Sequence, residues 1–404
     1  MAVLSPFRAL RPDPAVAAVV ASVPYDVVST GEARALAHAN PLSFLHVTRA
    51  EIDLSDSTSP YDEAVYAQAV RNFEGLKRAA PLVLDAEPSL YVYRLGMGTH
   101  VQTGVGGAYS LDEYDRGLIK KHEKTRRDKE DDRTRHIVDL RAQTGIVFLT
   151  HQPAADVTAA VARVCAGAPC YAFTAPDEVT HTVWRADGPA GDALVAAYAA
   201  LPALYIADGH HRAASAARAR TALAATADAP ASRFLAVAFP DDQVQILAYN
   251  RVVRDLAGLG QAGFLAAVRA RMPVAPSGTG VPAARGQVGM FVDGAWHLLS
   301  LPEAPAGAPH GDTLDVERLH QQVLAPVLGI GDVRADKRID FVGGSRGTTE
   351  LERLVTSGAA AVAFSMHPVA IGDLVAIADA GGIMPPKSTW FEPKLRDGLL
   401  VHLV

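Results

Sequence analysis

Apolar and polar positions along this 404-residue chain change period many times, and each change marks a strand, a helix or a turn. Ser89 to Leu95 alternates its apolar positions as a half-buried strand does, and Thr144 to Thr150 is a short continuous apolar run expected of a buried strand. Gln102 to Ser110, rich in Thr and Gly, reads as a further strand that packs closely or bends. Tyr61 to Ala79 and Val157 to Val164 carry helical spacing, and Thr30 opens a capped helix. Ala15 to Val23 is small and apolar, and Pro24 to Val28 reads as a strand or turn entering a site.

Further along, Phe234–Phe239 and Val244–Leu247 flank Pro240 to Gln243 as a hairpin would. Phe291 to Leu301 around Asp293-Gly294 predicts a second hairpin, because Asp-Gly favours a two-residue turn. Ala275 to Gly286 has the Pro, Gly and Ala content of a surface linker or long loop. Leu314 to Leu328 is helical up to Gly329. The remainder alternates strand Ile339–Val342, helix Thr349–Thr356, strand Ala360–Ser365 and helix Ile371–Ala378. No repeat of solenoid period is present. The pattern predicts an α/β chain of the α+β type, with mixed sheets and hairpins, rather than one doubly wound parallel sheet. The length predicts about two or three domains.

Composition narrows the partners. Apolar residues make up 49% and charged residues 20%, an ordinary globular balance. The net charge of −6 gives no broad attraction to nucleic acid or to an anionic membrane. No apolar run reaches the roughly 18 to 20 residues of a membrane span, and the first residues lack a signal-peptide pattern, so the expected location is cytoplasmic. Cys165 and Cys170 are too few for a disulfide framework and lie in no zinc-ligand spacing.

The most informative stretch is Tyr205 to Arg212, Tyr-Ile-Ala-Asp-Gly-His-His-Arg. An apolar strand ends in Asp208, Gly209 turns the chain, and His210, His211 and Arg212 stand at the mouth of an Ala-rich helix, Ala213 to Ala225. A helix N-terminus offers unpaired N–H groups and partial positive charge, and a guanidinium can hold phosphate or carboxylate as a fork. The plainer alternative is a capping Asp with two surface histidines.

A second cluster, Ile119 to Thr125, sets His122 and Glu123 among lysines, where the glutamate could take a proton from a hydroxyl. It opens the densest charge run, Lys120 to Arg135, expected to be a solvated helix with i,i+4 pairs such as Lys124–Asp128 and Arg127–Asp131. A third, Met384 to Lys394, fixes its backbone with prolines and offers Lys387, Ser388 and Thr389 in the pattern of an oxyanion cradle. Gly343 to Gly347, with Arg346, resembles a phosphate loop without matching a known nucleotide fingerprint. Tyr25 and Asp26 could close a pocket, and Asp241-Asp242 is expected to be solvated.

Asp208 to Arg212 is similar to the signature of the ParB/sulfiredoxin-like superfamily. The chain as a whole resembles the DUF1015 family through Phe7 to Pro12, Pro24 to Val28, Lys121-His122-Glu123 and Met384 to Thr389. Three of these motifs also resemble, in the same order, those of archaeal free-serine kinases, which move the β-phosphate of ADP to L-serine. The resemblance implies Glu123 as general base, assisted by His122 and Asp208, with Gly209, His210, His211, Arg212, Lys387, Ser388 and Thr389 on nucleotide phosphates. Asp208 would meet Mg²⁺, ADP or ATP would be the donor, and a small hydroxyl compound such as serine the acceptor. On that basis residues 1–110 are an added N-terminal α/β region, 111–230 a ParB-like core with a small insert, and 231–404 a C-terminal α/β region. The rival expectation is a non-catalytic nucleotide-binding regulator of the ParB type. The chain departs from the kinases by its much longer N-terminal region, which leaves the acceptor pocket open.

Overall fold

The Thr- and Gly-rich segment is a strand, His100–Ser110, near the middle of a nine-stranded sheet. Its glycines let neighbours come close. A Cβ on Gly107 would lie 2.4 Å from Leu4 Cδ1, and one on Gly104 would lie 2.7 Å from the Ala238 carbonyl oxygen. The sheet runs Ile119–Lys120, Leu204–Asp208, Val147–His151, Arg233–Pro240, His100–Ser110, Leu90–Met97, Thr180–Ala186 and Tyr171–Thr174, with Leu4–Ser5 added beside His100–Ser110. Two pairings are parallel and the others antiparallel, so the mixed sheet expected from the pattern is what forms.

These elements belong to a computed structural model that describes residues 2–79 and 82–404. The chain divides into two compact units, Met1–Val244 together with Pro393–Val404, and Gln245–Glu392. The expected boundaries at 110/111 and 230/231 do not fall between these units. Long-range registers cross both boundaries: Leu90–Met97 pairs with Thr180–Ala186, and Arg233–Pro240 pairs with both His100–Ser110 and Val147–His151.

In the first unit the helices Arg127–Leu140 and His210–Ala222 pack together, and their apolar faces join the strands in one core that includes Ile137, Ala213, Val147 and Ile206. Leu90 to Tyr93 are buried on both faces rather than half-buried. This is possible because the buried hydroxyls have partners: Tyr91 with Asp85, and Tyr93 with His181 Nδ1 at 2.9 Å. Helix Thr30–Ala37 starts with a capping box between Ser29 and Glu32.

The charge run also differs from expectation. The helix begins only at Arg127, which leaves Lys124 in the preceding loop, and its charges reach across the fold as well as along the helix, where Arg135 meets Asp139 at 3.2 Å. Arg218 holds Glu130 and Asp131, and Tyr66 donates to Asp132 at 2.8 Å. Pro240 to Gln243 does not close a hairpin. Arg233–Pro240 pairs with Val147–His151 and His100–Ser110, while Ile246–Leu247 pairs with Trp390–Phe391.

The second unit is built on a six-stranded antiparallel sheet. Its hairpin Gln287–Val292 to Ala295–Ser300 turns at Asp293 and Gly294, with φ of 53° and 72°. Positive φ at both turn positions is the type I′ geometry that Asp-Gly favours. Part of the expected linker is instead an edge strand, Val274–Ser277. Asp315–Leu319 continues into a π-helical turn, His320–Leu324, and the chain reverses at Gly329, φ 65°. Among the described residues no helix is long and apolar enough to cross a membrane.

Candidate functional site

Asp208 ends the strand Leu204–Asp208, and Gly209 then adopts φ 95° before the helix starts at His210. That left-handed conformation strains any residue with a Cβ, and a Cβ here would also stand 3.1 Å from Arg212 Nη1. Gly209→Ala is expected to cost about 1–2 kcal/mol, measurable as a lower midpoint in urea unfolding. The N-cap residue is glycine, so it offers no side-chain acceptor of its own to the first N–H groups of the helix.

Asp208 is the hub of the turn. Its carboxylate accepts from Lys394 Nζ at 2.9 Å and lies 3.6 Å from Arg212 Nη2. Burial pushes its pKa up, but Lys394 and Arg212 hold the carboxyl well below the usual carboxylate range, so it stays charged.

Arg212 faces inward. It is buried, donates to the Ile146 carbonyl, and meets Asp26 Oδ2 at 3.0 Å and Oδ1 at 3.3 Å. Its two terminal nitrogens have protein partners while Nε is buried without one, and Arg212 ties Asp26 and Asp208 into the turn. Gly145 makes room for it, since a Cβ there would lie 3.0 Å from Arg212 Cδ.

Tyr25 is buried, with its ring under Arg133 at 4.4 Å and its carbonyl accepting from Arg49. A cavity of about 30 Å³ between Tyr25 and Arg212 has room for water, not for a substrate.

The loop from Lys121 to Arg126 is bound to the helix start by two histidines. His210 Nε2 accepts the backbone N–H of His122 at 3.4 Å, and His211 Nε2 accepts that of Arg126 at 3.0 Å. The rings of His122 and His210 meet edge to face, with centroids 4.3 Å apart. Burial pushes the His122 imidazole down to about 4 and the His210 imidazole well below its ordinary value, so both are neutral at pH 7. With Nε2 of His210 accepting, its proton sits on Nδ1. That nitrogen is 3.8 Å from Glu123 Oε2, and Glu123 keeps 37% of its side chain exposed. His122, Glu123, Asp208, Gly209, His210, His211 and Arg212 therefore come together, with Asp26 beside them.

Lys387, Ser388, Thr389 and Arg346 lie in the second unit. There Ser388 Oγ donates to the Pro385 carbonyl at 2.6 Å, Lys387 Nζ stands 5.4 Å from the Tyr249 ring centroid, and Arg346 is exposed on a 3-10 turn. Lys387 takes φ 57°, the strained left-handed conformation of a residue held by its surroundings.

Two residues of the first site escaped the sequence reading. Lys394 sits inside a stretch singled out for Lys387, but nothing in its neighbourhood marks it as the partner of Asp208. Asp397 is 1% exposed, and its Oδ2 has no hydrogen-bond partner. Burial pushes its carboxyl up to about 7, opposed by Arg212 and reinforced by Asp26. A carboxyl whose pKa is raised on folding contributes stability that is complete below its unfolded value near 4 and is lost as pH rises through about 7. Asp397→Asn is therefore expected to stabilise the protein at pH 8 relative to pH 4, by an amount on the order of a few kcal/mol. Paired thermal unfolding curves at the two pH values would check this.

Among the described residues no group of three or more His, Cys, Asp or Glu side chains is arranged to hold a metal ion. Asp208, the expected ligand, already has an ammonium on Oδ2, so the donor set does not fit a resident Mg²⁺.

No curated protein matches the chain. Solved structures resemble it distantly. A conserved hypothetical protein from Pyrococcus furiosus is 15% identical over 74% of this chain and 95% of its own, with a TM-score of 0.38. SbnI from Staphylococcus aureus, C-terminally truncated, is 14% identical over 74% and 87%, with a TM-score of 0.41. A free serine kinase in complex with AMP is 12% identical over 72% and 91%, with a TM-score of 0.37. The model of DUF1015, described as a protein of unknown function, matches residues 4–320, and the chain belongs to that family.

Proposed function

We propose that the first unit binds a nucleoside di- or triphosphate through its phosphates and transfers a phosphoryl group to a small hydroxyl compound, with L-serine the preferred acceptor. The observation that carries this reading is the seat of Glu123. A partly exposed carboxylate faces the protonated nitrogen of a buried, neutral imidazole at the start of a helix whose N-cap is glycine. A binding protein has no need of a base aimed in this way, whereas transfer to a hydroxyl needs one that accepts a proton as the oxygen attacks.

In this reading the backbone N–H groups at Gly209, His210 and His211 cradle phosphate oxygens, and the helix dipole favours their charge. Lys394, held on Asp208 at 2.9 Å, supplies a point charge. His210 orients Glu123, and His122 fixes the tautomer of His210 through its backbone N–H. Glu123 takes the proton of the acceptor hydroxyl, whose oxygen forms the new P–O bond while the nucleotide leaves with the electrons of the old one. No step depends on a metal held by the protein, and Mg²⁺ enters as the ion that free nucleotides carry in solution. The motif resemblance to free-serine kinases favours ADP as donor and serine as acceptor.

The test mixes pure protein and Mg²⁺ with ADP or ATP and a panel of hydroxylated metabolites, with products read by ³¹P NMR. Phosphoserine together with AMP from ADP, or with ADP from ATP, is the expected result. Nucleotide binding by calorimetry without turnover on any acceptor would instead favour the non-catalytic regulator.

A further inference from the structure

The second unit contains a cavity of about 220 Å³, walled by Arg251, the π-helical turn, Phe341 and the Pro385-Pro386 pair. Arg251 lies on the sheet strand Tyr249–Val253, is 3% exposed, and donates to the backbone carbonyls of Tyr249 and Lys387, the latter at 2.9 Å. Among the described residues no carboxylate pairs with it. Burial pushes its pKa down to about 10, a direction opposite to that of Arg212 in its nest of acids.

A guanidinium removed from water is costly unless an anion meets it, and buried charges in folded proteins are generally paired. Two carbonyl oxygens satisfy part of its hydrogen-bonding capacity but none of its charge. Three of its five N–H groups remain after those two bonds.

The two acids on the lining, Asp332 and Glu317, accept from neutral donors and do not reach Arg251. Asp332 Oδ1 accepts the backbone N–H of Arg334, and Glu317 accepts from Gln321 at 3.1 Å. A second cation, Arg334, stands at the exposed side. His320 opens the π-helical turn, and its Nδ1 is buried without a partner. Single π turns inside helices are frequently found at functional sites. Leu324 and Phe341 make the rest of the wall apolar.

We propose that this cavity is a second binding site, for a small organic anion whose carboxylate or phosphate meets Arg251 and His320 and whose apolar body lies against Phe341 and Leu324. The site is confined to the second unit and does not depend on the kinase reading of the first. The volume suits a compact metabolite.

The full chain is titrated by calorimetry and ligand-observed NMR with inorganic phosphate, propionate, benzoate and phenyl phosphate, which separates the carboxylate from the phosphate source and both from the bare ion. At least one organic anion is expected to bind more tightly than inorganic phosphate. Arg251→Gln is expected to weaken that binding at least roughly tenfold, the loss of one charged hydrogen bond or more. Because Arg251 is buried, Val333→Trp at the cavity wall serves as a second block that leaves the guanidinium in place. Glu123→Gln, in the other unit, is expected to bind the anion as the wild type does. Equal affinity in wild type, Arg251→Gln and Val333→Trp, or no binding of any of the four anions, overturns the site.

Discussion

Glu123→Gln is expected to lower phosphoryl transfer by about 10²- to 10⁴-fold, the range for loss of a positioned general base, while nucleotide affinity changes little. The amide keeps the size and the Oε contact toward His210 Nδ1 but cannot accept the hydroxyl proton. Gln has the shape of Glu, so the packing around this partly covered side chain is kept and a folding defect is an inadequate explanation for such a loss. Measurement is by steady-state kcat and KM with serine, alongside calorimetric nucleotide affinity. A variant as active as wild type would remove Glu123 from the mechanism. A variant with weakened binding and unchanged kcat would make it a phosphate-side group instead.

Arg212→Met is expected to cost about 3–5 kcal/mol, the usual range for removing one partner of a buried ion pair. Asp26 loses two short contacts and Asp208 one of its two cations, while the carbonyl of Ile146 loses its donor. The measurement is the urea midpoint with its slope, compared with Lys394→Met, which leaves Asp208 its arginine. Were Arg212 a phosphate contact, the variant would keep its stability and lose nucleotide affinity alone. Arg212→Lys should restore little, because one ammonium cannot reach Ile146 and Asp26 together.

The first site was legible in the sequence to the extent that it was local. Asp208-Gly209-His210 announces itself through the strand that ends there, the glycine that turns and the alanines that follow, and the type I′ hairpin at Asp293-Gly294 was readable for the same reason. The inward direction of Arg212 was not, because the groups that claim it, Ile146 and Asp26, lie 66 and 186 positions away. The charge run misled in the same way. Lys124–Asp128 has helical spacing, but the helix begins after Lys124, and Glu130 and Asp131 find Arg218 instead. The hairpin expected at Pro240 to Gln243 failed because period-two patterning marks a strand without naming its partner.

The order of synthesis gives the late segment Pro393–Val404 a further importance. It supplies Lys394 to the Asp208 turn, buries Asp397, and inserts strand Val401–Leu403 between Ala9–Arg11 and Ala142–Gln143. A nascent polypeptide halted at residue 390 has translated the glutamate and both imidazoles but holds Asp208 without its ammonium partner and leaves two strand edges open. The Asp208 turn of the first unit therefore stays unfinished on the ribosome until Lys394 and the strand Val401–Leu403 have been translated.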